Sequence, residues 1–114
     1  MNYFEALLLG HLVGDFVLQT GWMAREKVRN AAALLSHAAV YTAAVGVAGR
    51  LAGGISLVAV ALVFVSHAVL DRRTLVHWWG RHVQEIRREA DAWLYIVTDQ
   101  VAHLLILAAV TALR

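Results

Sequence analysis

Three histidine–aspartate pairs stand four residues apart in this chain: His11 with Asp15, His67 with Asp71, and Asp99 with His103. Six histidines and four aspartates scattered at random over 114 residues would give only ~0.4 such pairs. A separation of four sets two side chains on one helix face, one turn apart, which is how bundled helices present paired ligands to a metal ion. His37 adds a fourth imidazole. The chain has no cysteine, so thiolate zinc sites, C-x-x-C redox chemistry and a cysteine nucleophile are excluded together, and imidazole and carboxylate make up the reactive inventory. Continuing each face by four residues reaches Gln19 from Asp15, Tyr41 from His37 and Tyr95 from Asp99. With Gln100 beside Asp99, these are candidates to hydrogen-bond and orient the ligating groups. Arg72 and Arg73, directly after Asp71, could hold a lipid headgroup or another anion, although fixing topology is their more ordinary role. His77 and His82 lie among Trp78, Trp79 and Arg81 and read as surface histidines.

The elements that must position these residues are unusually apolar. The chain is 61% hydrophobic and 16% charged, whereas a soluble domain of this size carries roughly a quarter charged residues to cover its surface. Thirteen of its charged side chains fall within residues 21–30 and 71–91. The rest divides into four apolar stretches, expected as spans over about 4–23, 31–49, 53–71 and 92–112, each roughly 30 Å of helix and so matched to a bilayer core. AAALLSHAAVYTAAVGVAG and ISLVAVALVFVSHAVL are apolar almost all round, unlike the helices of a soluble bundle, which keep a polar face. The expected fold class is therefore all-α, a four-helix transmembrane bundle with antiparallel neighbours and a single domain over 1–114.

Orientation follows from the loops. Segments 24–30 and 72–91 hold eight of the ten basic residues and the other side has only Arg50 and Arg114, so the basic loops are expected in the cytoplasm and both termini outside. The net charge of +2 is accounted for by topology and anionic lipid, and no aromatic-plus-basic strand pattern points to nucleic acid. Glu5 stands where a cleaved signal would carry basic residues, so the first span is expected to be retained. Gly49 to Gly54 reads as the turn of a hairpin, and Gly46, Gly49 and Gly53 as lesser candidates for close helix contact. Trp78, Trp79 and Trp93 interleaved with arginines suit an amphipathic segment in the headgroup region. HLVGD and HAVLD run in the same direction, and SHAAVY and TDQVAH follow each on the next helix, a faint parallel two-helix pseudo-repeat. In this topology His11, Asp15, His37, His67, Asp71, Asp99 and His103 all fall in the cytoplasmic half of the membrane.

The segments HLVGDFVLQTGWMAREK, SHAAVY, SHAVLD and TDQVAHLL resemble a bacterial membrane family known as domain of unknown function 3307. Its most specific parts here are the H-x-x-x-D-F-x-L-Q run (His11, Asp15, Phe16, Leu18, Gln19) and the D-Q-x-x-H run (Asp99, Gln100, His103). The resemblance implies a multi-pass protein of the bacterial inner membrane and names no reaction. A looser similarity, to small inner-membrane metal-dependent hydrolases that carry H-x-x-x-D on membrane helices, implies hydrolysis.

Two readings of the polar cluster stand side by side. In one, the seven groups bind a divalent metal, zinc first, with manganese or iron also suited to imidazole and carboxylate and copper(I) not. Seven groups exceed one tetrahedral shell, so some orient ligands or the site holds two ions. Bound water there would be a nucleophile for a lipid or membrane-borne ester or amide. In the other, the pairs are structural contacts that hold helices in register within an accessory subunit of a homo-oligomer or larger membrane complex. An ion or proton pathway is disfavoured, because the outer half of the spans is almost entirely Leu, Ala and Val.

Overall fold

The computed structural model describes residues 1–113, and every regular element among them is helical. Helix α1 (Tyr3–Leu12) runs into a π-helical turn (Val13–Val17) and is followed by α2 (Gly21–Glu26), α3 (Ala31–Leu51), α4 (Leu57–Asp71), α5 (Thr74–His82), a 3-10 turn (Glu89–Asp91) and α6 (Trp93–Leu113). Polar caps set the starts. Asn2 and Glu5 form a capping box on α1, while Thr20, Asn30 and Ser56 accept the first free N–H groups of α2, α3 and α4. Glycines set the expected hairpin: Gly53 and Gly54, at φ 132° and 121°, reverse the chain between α3 and α4.

One expectation is corrected. Residues 4–23 do not form a single helix, because α1 gives way to the π turn at Val13 and the chain breaks over 18–20 before Thr20 caps α2. The bond from Leu18 N–H to the Val13 carbonyl takes one residue more per turn than an α-helix, which re-aims the side chains around Asp15. The segment 72–91 likewise has structure of its own: Arg73, in the left-handed region at φ 64°, turns the chain into the short amphipathic helix α5.

The long elements pack α1 on α3, α3 on α4, α4 on α6 and α6 back on α1, closing a ring. At one end the ring encloses an apolar core of Tyr3, Leu7, Tyr41, Val45, Ala59, Val63, Leu107 and Val110. The other end is polar inside. Large apolar side chains face outward as well, among them Leu51, Leu57, Val58, Val65 and Leu105. Two helical stretches, Ala31–Leu51 and Glu89–Leu113, are long and apolar enough to cross a membrane, and α4 is apolar but shorter.

The tightest approach is between α1 and α3, at a Gly-x-x-x-Gly pair that sequence reasoning passed over. A Cβ on Gly10 would stand 2.9 Å from Ala48 Cβ and 3.0 Å from the Ala44 carbonyl oxygen, and one on Gly14 would stand 3.0 Å from Tyr41 Cα. Gly46, singled out from the sequence, has nothing within 4 Å of the corresponding position. Gly10→Ala is therefore expected to push the helices apart and cost about 1–3 kcal/mol, as overpacking does. Thermal unfolding of the two alanine variants in the same detergent checks this: a clear loss of stability for Gly10→Ala beside no loss for Gly46→Ala.

Candidate metal centre

Each of the four packed elements sends polar groups into the end of the ring opposite the apolar core. The π turn supplies Asp15, α1 His11, α3 His37 and Tyr41, α4 His67 and Asp71, and α6 Asp99, Gln100 and His103. All seven histidines and aspartates expected from the sequence are buried.

Asp71 is the hub. Its Oδ2 lies 3.1 Å from His37 Nε2, 3.0 Å from His67 Nε2 and 3.1 Å from Lys27 Nζ, and its Oδ1 lies 3.3 Å from His103 Nε2. Asp15 is the second carboxylate, with Oδ1 at 3.0 Å from His37 Nε2 and 3.8 Å from His67 Nε2. Asp15, His37, His67 and Asp71 form one group whose ligand-type atoms lie within 4.8 Å of one another, and Asp71, Asp99 and His103 form another. Asp71 belongs to both.

The sequence pairs resolve differently. His67 and Asp71 meet directly. His11 reaches Asp15 only through Gln100, whose amide donates to Asp15 Oδ2 at 3.2 Å while its carbonyl accepts from His11 Nε2 at 2.8 Å. The remaining nitrogen of His11, Nδ1, then accepts the Tyr41 hydroxyl at 2.8 Å. With both nitrogens engaged, His11 orients the network and stands outside both ligand groups. In the third pair the short contact is from His103 Nδ1 to the Asp99 carbonyl at 2.6 Å, and the Asp99 carboxylate lies farther off at 3.7 Å.

Tyr41 and Gln100 thus join the site, and Tyr41 also stacks on His67 with ring centroids 3.8 Å apart. Gln19 serves Lys27, accepting from Nζ at 2.9 Å. Tyr95 is not brought in. It stacks on His77 at 4.4 Å and fills the space over Gly80. Partial desolvation there, with Arg73 and Arg81 nearby, holds the His77 imidazole below its ordinary value. Arg72 is exposed and Arg73 half-buried, one on each side of the turn into α5.

Lys27 is the member of the buried cluster that sequence reasoning missed. By position it belongs to the first basic loop, yet it is buried and bonded to Asp71 and Gln19. A signal was present: it is the only lysine among ten basic residues. Arginine serves topology equally well, whereas a compact ammonium on a flexible stem is suited to a confined carboxylate.

The chain belongs to a family of proteins of unknown function, DUF3307, whose profile matches residues 3–114. Comparison with curated proteins and with solved structures gives no match.

Removing one member of a buried ion pair strands the other. In metal-free protein, Lys27→Met is expected to destabilise by about 3–5 kcal/mol. Arg29→Met, which breaks an exposed pair with Glu26, is expected to cost less than about 1 kcal/mol. Chemical denaturation of both variants after chelator treatment measures the contrast.

Proposed function

We propose that this is a multi-pass integral membrane protein that binds a divalent cation through Asp15, His37, His67 and Asp71 near the cytoplasmic face and hydrolyses a lipid or membrane-borne substrate there. The observation that carries the metal reading is a set of short histidine–carboxylate contacts of which only one, His37 Nε2 to Asp15 Oδ1, is a hydrogen bond. His67 Nε2 lies 3.0 Å from Asp71 Oδ2, yet neither of its buried ring nitrogens makes a hydrogen bond. Groups that converge this closely while most of their contacts stay unbonded are arranged as ligands around a common point. The four contacts of this group, from 3.0 to 3.8 Å, bracket the edge of about 3.3 Å expected of a tetrahedron with metal–ligand bonds of about 2.0–2.1 Å.

Charge supports the same reading. The buried charged side chains among the described residues are Asp15, Asp71, Asp99 and Lys27, which with neutral imidazoles leave two negative charges uncompensated. One divalent ion neutralises them, and such neutrality matters most away from water. Zinc suits the imidazole–carboxylate set, and manganese or iron is the next choice. When bound, the ion would polarise an ester, amide or phosphoryl oxygen and lower the pKa of a bound water. The chain's own part is to fix the ligands: Tyr41 packs the His67 ring, and Gln100 and His11 hold Asp15.

The membrane reading is supported by the two long apolar helices, the outward-facing Leu and Val side chains, and basic residues concentrated at the ends where Asp71 lies. The remaining two crossings would be α1 with its π turn, and α4, each 15 residues or about 22 Å and thus shorter than a bilayer core. Local thinning around short spans would bring the metal centre close to the interface, within reach of headgroups.

Elemental analysis of the purified protein tests the reading. Wild type is expected to carry stoichiometric divalent metal that Asp15→Asn and His67→Ala lose. Wild type without metal would mean that the histidine–aspartate contacts are structural, as in an accessory subunit. With metal present, release of product from labelled phospholipid or membrane-borne ester by wild type and not by His67→Ala supports hydrolysis.

A further inference from the structure

Resting on the metal reading above, the geometry points to a second cation site in the same cluster, formed by Asp71, Asp99 and His103, so that Asp71 bridges two ions. The argument begins with a tautomer. His103 Nδ1 lies 2.6 Å from the Asp99 backbone carbonyl, which can only accept, so the proton is on Nδ1 and donates to that oxygen. In the neutral ring this leaves the lone pair on Nε2, the arrangement by which a backbone carbonyl orients a metal-ligating histidine. That lone pair faces Asp71 Oδ1 at 3.3 Å, and neither atom makes a hydrogen bond. Two acceptors facing each other in a buried site repel unless a cation lies between them, a proton in the empty protein or a metal ion in the loaded one. Asp99 Oδ1 is a third buried polar atom with no hydrogen bond, and Asp99 offers a ligand-type oxygen within 4.8 Å of those of Asp71 and His103.

The two sites share Asp71 but use different atoms. His37 and His67 address Asp71 Oδ2, and His103 addresses Oδ1, so each oxygen of one carboxylate has its own imidazoles. A carboxylate used in this way bridges ions about 3.5–4 Å apart, the spacing of two-metal hydrolytic centres. Charge then limits what completes the centre. Three aspartates and Lys27 neutralise one divalent ion, so a second leaves the buried cluster positive and is bound together with an anion. The ligand class that fits is an oxyanion shared between the ions, as in phosphate or a phosphoester headgroup.

Manganese titration of the chelator-treated, detergent-purified protein, with electron paramagnetic resonance as the readout, tests this. Wild type is expected to bind two ions, the second about tenfold more tightly with inorganic phosphate present, and to show an exchange-coupled signal. Asp99→Asn and His103→Ala are expected to bind one uncoupled ion with no phosphate effect, each with helical circular dichroism like wild type. A wild type that binds one ion with or without phosphate overturns the second site while leaving the first intact. A wild type that binds none overturns both. Two coupled ions with no phosphate effect would overturn the assignment of an oxyanion.

Discussion

An aspartate carboxylate at the centre of a helical ring governs the polar half of this protein. Asp71 ends α4 almost completely shielded from solvent, and an ion in that position costs several kcal/mol unless it is surrounded by compensating groups. The Lys27 ammonium, on the residue that closes α2, compensates it directly, and three imidazoles from α3, α4 and α6 surround it within 3.3 Å. No single helix could supply them. The ring α1–α3–α4–α6 must therefore be closed, and closed in one register, before the carboxylate is satisfied. The apolar core at the opposite end fixes that register by packing Leu7, Val45, Val63 and Leu107 with no exposure or almost none.

Asp15 reaches the centre by a different route. Gly10 and Gly14 let α1 lie against the backbone of α3, and the π turn re-aims the residues that follow Leu12. Close approach and altered twist together bring the Asp15 carboxylate to His37 while His11, one turn earlier, faces Tyr41. A π turn is a costly local structure, retained where it aims a functional group, and here the group it carries is a candidate ligand. The Gly-x-x-x-Gly spacing is interleaved with the His-x-x-x-Asp spacing, so a single turn of sequence encodes both the helix contact and the polar face.

Much of the site was legible because its signal is periodic. Residues four apart share a helix face whatever surrounds them, so His11, Asp15, His37, His67, Asp71, Asp99 and His103 could be gathered before any contact was known. Three things could not be read in this way. Lys27 sits in a connection, where no period constrains the direction of a side chain. Tyr95 shares the face of Asp99 but lies one turn beyond the ring's end, where α5 covers it and His77 takes its ring. The role of His11 depends on Gln100, which is 89 residues distant and reaches it only when α6 packs on α1.

The sequence by itself determined the all-helical class, the glycine hairpin and the histidine and aspartate members of the polar cluster, because turns and face periodicity are local properties. The tertiary structure alone decided that Asp71 is the hub, that the cluster divides into two groups sharing it, that His11 supports rather than joins them, and that a lysine from a loop enters. Those features depend on the distance and direction between atoms on different helices. Such relations are set by how closely the backbones approach and where a helix twists or breaks, and neither is fixed by the composition of any one segment.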